Sequence, residues 1–249
     1  MKTLLSYCLL LLCAVPSFAK KKDTRYFELR IYHCYPGRLD ALVERFRDHT
    51  TVIFEKHGME NIGYWLPVHN EGNDLYYILA YPSKEARDAS WKAFGEDPEW
   101  KEVARKSEEG GKIVEKVTSV FLNAASDIPF PIRASKKDPE RIFELRTYYS
   151  PDGQLPNLQT RFREHTIKIF KKHGMESIGY WTTAEKDAAQ PHLVYILAHP
   201  SEEAAKTNWD AFRADPQWVK VKADSEKDGK IVDRTESVFL RPLPFSKIK

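Results

Sequence analysis

The chain repeats itself, and that repeat limits its folds more than any other feature. Phe27-Glu-Leu-Arg30 returns as Phe143-Glu-Leu-Arg146, His57-Gly-Met-Glu60 as His173-Gly-Met-Glu176, and Ile62-Gly-Tyr-Trp65 as Ile178-Gly-Tyr-Trp181, each 116 residues later. Tyr77-Ile-Leu-Ala80 and Ser119-Val-Phe-Leu122 return as Tyr195-Ile-Leu-Ala198 and Ser237-Val-Phe-Leu240 at an offset of 118, so the second copy holds two extra residues between Trp181 and Leu193. Residues 26–65 and 142–181 are identical at 24 of 40 positions, and 75–122 and 193–240 at 26 of 48, which chance does not produce. A period this long marks duplicated domains rather than a solenoid of small units. The fold must therefore be one that about 100 residues can form and that two copies can share.

The duplication divides the chain into domains at 24–123 and 140–243, joined over 124–139 by a stretch with Pro129, Pro131, Ser135 and Lys136-Lys137-Asp138 that reads as an extended linker. Residues 1–19 read as a signal peptide. Lys2 is the positive start, Leu4 to Val15 the apolar run, and Ser17-Phe18-Ala19 the small-residue site, with cleavage expected after Ala19 and a secreted or periplasmic location. The run is too short for a membrane span, and Leu12 before Cys13 is too bulky for a lipidation signal. Cleavage removes Cys8 and Cys13, leaving Cys34 without an internal partner. Cys34 then reads as a small buried residue or as a thiol that could link two chains. The net charge of +3 is too small to point to nucleic acid.

Within one copy, Phe27, Leu29 and Ile31 alternate with Glu28, Arg30 and Tyr32, the period of a strand. Pro36-Gly37 turns the chain, and Leu39, Leu42, Val43, Phe46, Ile53 and Phe54 fall at helical spacing up to a stop at Gly58. Residues 59–67 and 74–81 read as strands. Ser83 and Asp97-Pro98 read as caps of a second helical region with a bend between them, and 114–122 reads as the last strand. The fold class is α+β, with the order β-α-β-β-α-β twice, the ferredoxin-like split βαβ arrangement. Helices cover one face of such a sheet. The other face needs the second copy, either packed against it or curved with it into one barrel.

Tyr26-Phe-Glu-Leu-Arg-Ile-Tyr32, Pro36-Gly37, His57-Gly-Met59, Gly63-Tyr-Trp65 and the stretch Trp91, Phe94, Asp97-Pro98, Trp100 resemble the NIPSNAP domain, over nearly all of both halves. The resemblance implies a dimeric α/β barrel with a central cavity, formed here within one chain as a pseudo-dimer. It does not imply one activity. Barrel relatives include cofactor-independent monooxygenases, haem-degrading enzymes and stress-response proteins, and animal NIPSNAP proteins are mitochondrial adaptors, a role that fits poorly with a signal peptide.

The polar face of the first strand, Glu28, Arg30 and Tyr32, with its repeat Glu144, Arg146 and Tyr148, is expected to point away from the helices. There it forms either an ion pair or a site where Arg, oriented by Glu, receives an anionic or carbonyl oxygen. His49 and His165 lie on or beside the apolar helix stripe and are the candidates for proton transfer. Trp65, Tyr77, Trp181 and Tyr195 would favour a small apolar or aromatic ligand if they line the cavity. His57 and His173 read as helix-end caps, and Trp91, Phe94 and Trp100 as packing. No HExxH, paired CxxC or phosphate loop appears, so no metal or cofactor is expected, and no axial ligand for haem stands out. No spacing marks a nucleophile triad. Two functions stay open: a small-molecule-binding or interaction module with a ligand cavity in the barrel, or a cofactor-independent monooxygenase or isomerase acting on an aromatic or polyketide-like compound. Whole chains could also assemble further.

Overall fold

Each half folds in the order its sequence period dictates. The computed structural model describes residues 23–125, 128, 140–184 and 190–249. The expected signal peptide, most of the expected linker and part of the stretch carrying the two-residue insertion lie outside them. The first half runs β1 (Tyr26–Cys34), α1 (Leu39–Arg45), α2 (Thr51–Lys56), β2 (Glu60–Pro67), β3 (Asp74–Tyr81), α3 (Lys84–Glu96), α4 (Pro98–Ser107) and β4 (Val114–Ala124). The second runs β5 (Ile142–Tyr149), α5 (Leu155–Arg161), α6 (Ile167–Lys172), β6 (Glu176–Thr183), β7 (His192–His199), α7 (Glu202–Ala214), α8 (Pro216–Ser225) and β8 (Arg234–Pro242).

The expected caps form. Ser83 Oγ accepts from the Ala86 amide at 3.2 Å, and Asp97 accepts from the Glu99 amide at 2.8 Å. Asp97 itself is extended, at φ −63° and ψ 121°, which bends the helical region between α3 and α4. Ser201 and Asp215 repeat both caps. The first helix of each half differs from expectation. A π-helical turn, Phe46–Thr50 or Phe162–Thr166, interrupts it. The Thr50 and Thr166 hydroxyls donate to the carbonyls five residues back, of Arg45 and Arg161. The wider turn buries Arg45 and Arg161 beside Phe46 and Phe162.

The eight strands close into one antiparallel barrel in the order β1-β3-β2-β8-β5-β7-β6-β4. Each half supplies four adjacent strands, and two seams join them. At one, Leu66 of β2 pairs with Arg241 of β8, and at the other Asn123 of β4 pairs with Thr182 of β6. Closure leaves neither half with an open sheet edge. The lumen holds a single apolar cluster drawn from both halves, including Phe27, Leu29, Trp65, Ile78, Phe143, Leu145, Trp181 and Ile196. Phe27 meets Trp181 edge to face at 5.9 Å, and Trp65 meets Phe143 at 6.1 Å, so these four rings fill one end. Gly63 makes room for the Trp65 ring, because a Cβ there would lie 2.2 Å from it. The C-terminal residues, beyond the expected boundary at 243, lie over β2. Ser246 Oγ accepts from the Tyr64 amide at 3.0 Å, and Ile248 enters the lumen cluster.

One expectation is reversed. Phe27, Leu29 and Ile31 face the lumen, while Glu28, Arg30 and Tyr32 face the helices. Two apolar inner faces can shield each other without polar partners. A carboxylate and a guanidinium need donors and acceptors, and α3 supplies them.

Because the plugged end is shared, Trp181→Ala removes packing from both halves. We expect a loss of about 3–5 kcal/mol in urea unfolding, as a shift of one cooperative transition rather than the appearance of a second.

Candidate functional site

The helix-facing side of β1 carries a buried ion pair. Glu28 accepts from Arg30 at 2.6 Å, from Arg87 at 2.9 and 3.0 Å, and from the Trp91 indole at 3.0 Å. Arg30 Nε donates to the Tyr77 hydroxyl at 2.8 Å and Nη1 to Ser119 at 3.1 Å, with its guanidinium 4.3 Å over the Trp91 ring. Glu28 is held below the ordinary carboxylate range: burial opposes this, and the hydrogen bond from Arg87 and the charges of Arg30 and Arg87 outweigh it. Every polar group of this first network is engaged, and it reads as structure.

The second copy is not equivalent. Ala205 stands where the first copy has Arg87, and His199 where it has Tyr81. Glu144 accepts from Arg146, from His199 Nε2 at 3.1 Å, from the Trp209 indole at 2.7 Å and from the Ser237 hydroxyl at 2.7 Å. Burial works against its charge, but the His199 bond, the Arg146 charge and the Ser237 and Trp209 bonds hold its pKa down at about 2. Arg146 stacks 4.2 Å over Trp209. Its Nε, the atom whose counterpart in Arg30 reaches Tyr77, is buried without a hydrogen-bond partner among the described residues. Burial disfavours its charge, yet Tyr195, Tyr148 and Glu144 keep it firmly protonated.

Arg146 and Tyr148 open onto a cleft of about 410 Å³ between the outer face of the sheet and α7, α8 and the start of β8. Trp209, Phe212 and Trp218 supply aromatic walls. Six cations and two acids line it. Arg161 is paired with Glu226 at 2.9 Å and Arg213 with Asp210 at 2.6 Å. Among the described residues no carboxylate pairs with Lys222 or Lys230. Arg213 and Lys222 replace Gly95 and Ala104 of the first copy, so the excess of positive charge belongs to the second half. The cleft can hold an anion against Arg146 and a flat apolar body against the two indoles.

A second cavity, of about 330 Å³, lies in the barrel at the end away from the four rings. Its walls include Leu29, Val120, Leu145 and Val238, and its rim Tyr76, Thr118, Tyr149 and His192. The His192 Nδ1–H donates to the Gln190 carbonyl at 3.0 Å, and burial keeps the ring below its ordinary pKa and neutral.

The residues singled out by sequence are thus split. Arg146 and Tyr148 line the cleft, with Glu144 behind them, and the matching Glu28, Arg30 and Tyr32 form a closed network. Tyr77 and Tyr195 are buried under the helices, and Trp65 and Trp181 plug the barrel rather than line an open cavity. His49 is exposed and His165 half-buried, and neither lines either cavity. The π turn explains this correction, since its extra residue carries the histidines off the apolar stripe while Arg45 and Arg161 turn inward. His57 and His173 do more than cap: they bond the N-cap aspartates Asp97 and Asp215 at 2.6 and 2.7 Å. Cys34 is buried and unpaired, and burial pushes its thiol up to about 11, which leaves it protonated and hidden. Arg161, Trp209 and Trp218 were missed as site residues. Their signal was an arginine repeated inside an apolar stripe and two repeated indoles, of which Trp209 reaches the Glu–Arg pair and Trp218 lies against Arg161. Among the described residues no group of three or more His, Cys, Asp or Glu could hold a metal, and no helix is long and apolar enough to cross a membrane.

The NIPSNAP family profile matches residues 27–129 and 143–247, and the chain belongs to that family. A comparison with curated proteins returns no match. Among solved structures, the chain is similar to two proteins each called a "putative monooxygenase". The one from Lactobacillus acidophilus is 15% identical, covering 88% of this chain and 94% of that one, with a TM-score of 0.55. The one from Fusobacterium nucleatum is 7% identical, covering 91% and 99%, with a TM-score of 0.58. An anthrone oxidase-like protein is similar at 11% identity, 91% and 95% coverage and a TM-score of 0.53. At these identities the likeness shows the fold: tandem units closed into one barrel.

Because Glu144 has a lowered pKa in the folded chain, the stability it confers is complete above the ordinary glutamate range and is lost as pH falls through about 2. We expect Glu144→Gln to cost about 3–5 kcal/mol at neutral pH, since it leaves Arg146 without its counter-charge. The loss of stability between about pH 5 and 2 should shrink in the variant, read by urea unfolding across that range.

Proposed function

We propose that this tandem NIPSNAP chain is a small-molecule-binding module whose second half holds a ligand with an anionic group and an aromatic body. The observation that carries the reading is Arg146. Its charge is fixed by Glu144, its Nε is buried and has no partner among the described residues, and the residue fronts an aromatic cleft in which, among the described residues, no carboxylate pairs with Lys222 or Lys230. A planar guanidinium suits a carboxylate, and the indoles suit a ring beside it. The barrel lumen, where the sequence placed the ligand, offers the smaller cavity, and its chemistry is different. Export with cleavage after Ala19 belongs to the same proposal, and a mature chain beginning at Lys20 is its test.

The enzyme reading, an oxygenase or isomerase acting on an aromatic compound, draws support from the names of the similar structures. It needs the proton-transfer histidine that the sequence assigned to it. His49 and His165 stand outside the cleft, and His199 is buried against Glu144. Binding is therefore the function this cleft supports best.

Salicylate tests the proposal, followed by calorimetry and by quenching of indole fluorescence. Arg146→Gln should weaken binding about 10- to 100-fold, the worth of hydrogen bonds to a charged group. Lys222→Ala should weaken it a few-fold, more at low salt. Arg30→Gln, in the closed first network, should leave it unchanged. Equal losses in the Arg30 and Arg146 variants, or none in either, would contradict the assignment.

A further inference from the structure

The open end of the barrel brings together three side chains that the function above does not use. His33, Asp74 and Thr118 lie on neighbouring strands β1, β3 and β4, all on the lumen side. His33 Nδ1 is 2.7 Å from Asp74 Oδ1, and His33 Nε2 is 3.1 Å from Thr118 Oγ1. A carboxylate can only accept, so the ring proton sits on Nδ1. In the neutral ring Nε2 is then the acceptor, and the Thr118 hydroxyl donates to it. Asp74 is fixed in turn, since its amide donates to the Asn70 side chain at 2.7 Å and its carbonyl accepts from that side chain at 2.9 Å. The order carboxylate, imidazole, hydroxyl is that of an activated nucleophile with an oriented base.

Thr118 is also part of the wall of the 330 Å³ barrel cavity. Tyr76 lines the same cavity. Burial, with the nearby charges of Asp74 and Glu236, raises its pKa, so its hydroxyl remains a hydrogen-bond donor. The second copy has none of this relay. Tyr149, His192 and Glu236 stand at the three matching positions, and Tyr149 donates to Glu236 at 2.9 Å. The relay thus stands on the first copy's wall alone, facing Thr147, Tyr149, His192 and Glu236 of the second, with Leu29, Val120, Leu145 and Val238 deeper in the cavity.

We propose that the barrel mouth is a second site, independent of the cleft, at which Thr118 is the nucleophile for hydrolysis of small uncharged carboxylic esters. The apolar floor of Leu29, Val120, Leu145 and Val238 and the Glu236 carboxylate in the lining select a neutral acyl group. Thr118 Oγ1 bonds to the ester carbonyl carbon and its proton passes to His33 Nε2. The C–O bond to the alcohol breaks, and His33 returns that proton to the departing oxygen. Water then attacks the acyl-Thr118 ester and gives a proton to His33. The carboxylic acid leaves, and Thr118 Oγ1 regains the proton. Asp74 holds the ring and faces the imidazolium throughout. Tyr76 is the candidate donor to the oxygen that gains charge.

The full chain with p-nitrophenyl acetate is the test. The proposal expects a burst of p-nitrophenolate and an acetyl group on the peptide that contains Thr118. Thr118→Val, which keeps the shape of the side chain, and His33→Gln should each lower the rate by roughly 100-fold or more, and Asp74→Asn by a comparable factor. Thr118→Ser should retain activity and so separate loss of the hydroxyl from loss of the fold, with unfolding curves of all variants compared. Turnover no faster than in buffer, turnover that survives Thr118→Val, or acetyl groups found on lysines alone would overturn it.

Discussion

A four-stranded sheet with helices on one side has an apolar inner face and two unpaired edges, and neither can be left to water. In this protein a second copy of the same sheet answers both needs. Its inner face covers the first, and its edge strands complete the hydrogen bonding at two seams. The lumen that results is filled at one end by Phe27, Trp65, Phe143 and Trp181 and left open at the other. Every other feature follows from that closure. Since the lumen takes the apolar face of β1 and β5, the polar face must lie under the helices. The Glu–Arg pairs are therefore buried against Arg87 and Trp91 of α3 and against Trp209 of α7 instead of meeting across the barrel.

Duplication within one chain frees the copies to differ, which a dimer of identical chains does not allow. The two faces of each sheet have diverged separately. Under the helices, the first copy neutralises Glu28 with both Arg30 and Arg87. The second has Ala205 in place of Arg87, and Arg213 and Lys222 in place of Gly95 and Ala104, which makes the cleft at Arg146 positive. At the barrel mouth the asymmetry runs the other way. The first copy keeps His33, Asp74 and Thr118 in one hydrogen-bonded row, while the second has Tyr149, His192 and Glu236. Matching positions of the two copies thus differ on both faces of the sheet.

The sequence exposed the repeat, the element order and the caps, because these depend on spacing and on local hydrogen bonding. Ser83, Asp97-Pro98 and Gly58 act where their chemistry places them. It misplaced what depends on tertiary context. Alternation along β1 separates two faces but does not say which one meets the helices, and both faces of this strand hold apolar or aromatic side chains. Helical spacing assumes an unbroken α-helix, so the π turn displaced His49 and concealed Arg45 and Arg161. The relay of His33, Asp74 and Thr118 spans residues far apart in sequence that only strand pairing brings together, and no local pattern announces it.

The central claim is that the two halves are one closed barrel, sealed by the amides that cross between them. Four report on it directly: Val68 donating to Phe239, Ala184 to Phe121, Ala125 to Tyr180 and Leu243 to Tyr64, at 2.8 to 3.0 Å. Native-state hydrogen exchange can follow each of them. A closed barrel requires the seam amides of Val68, Ala125 and Ala184 to be protected as strongly as Ile78 within β3, opening only with global unfolding. Seam amides that exchange at the rate of surface loops, while Ile78 stays protected, would mean that the halves part as separate domains.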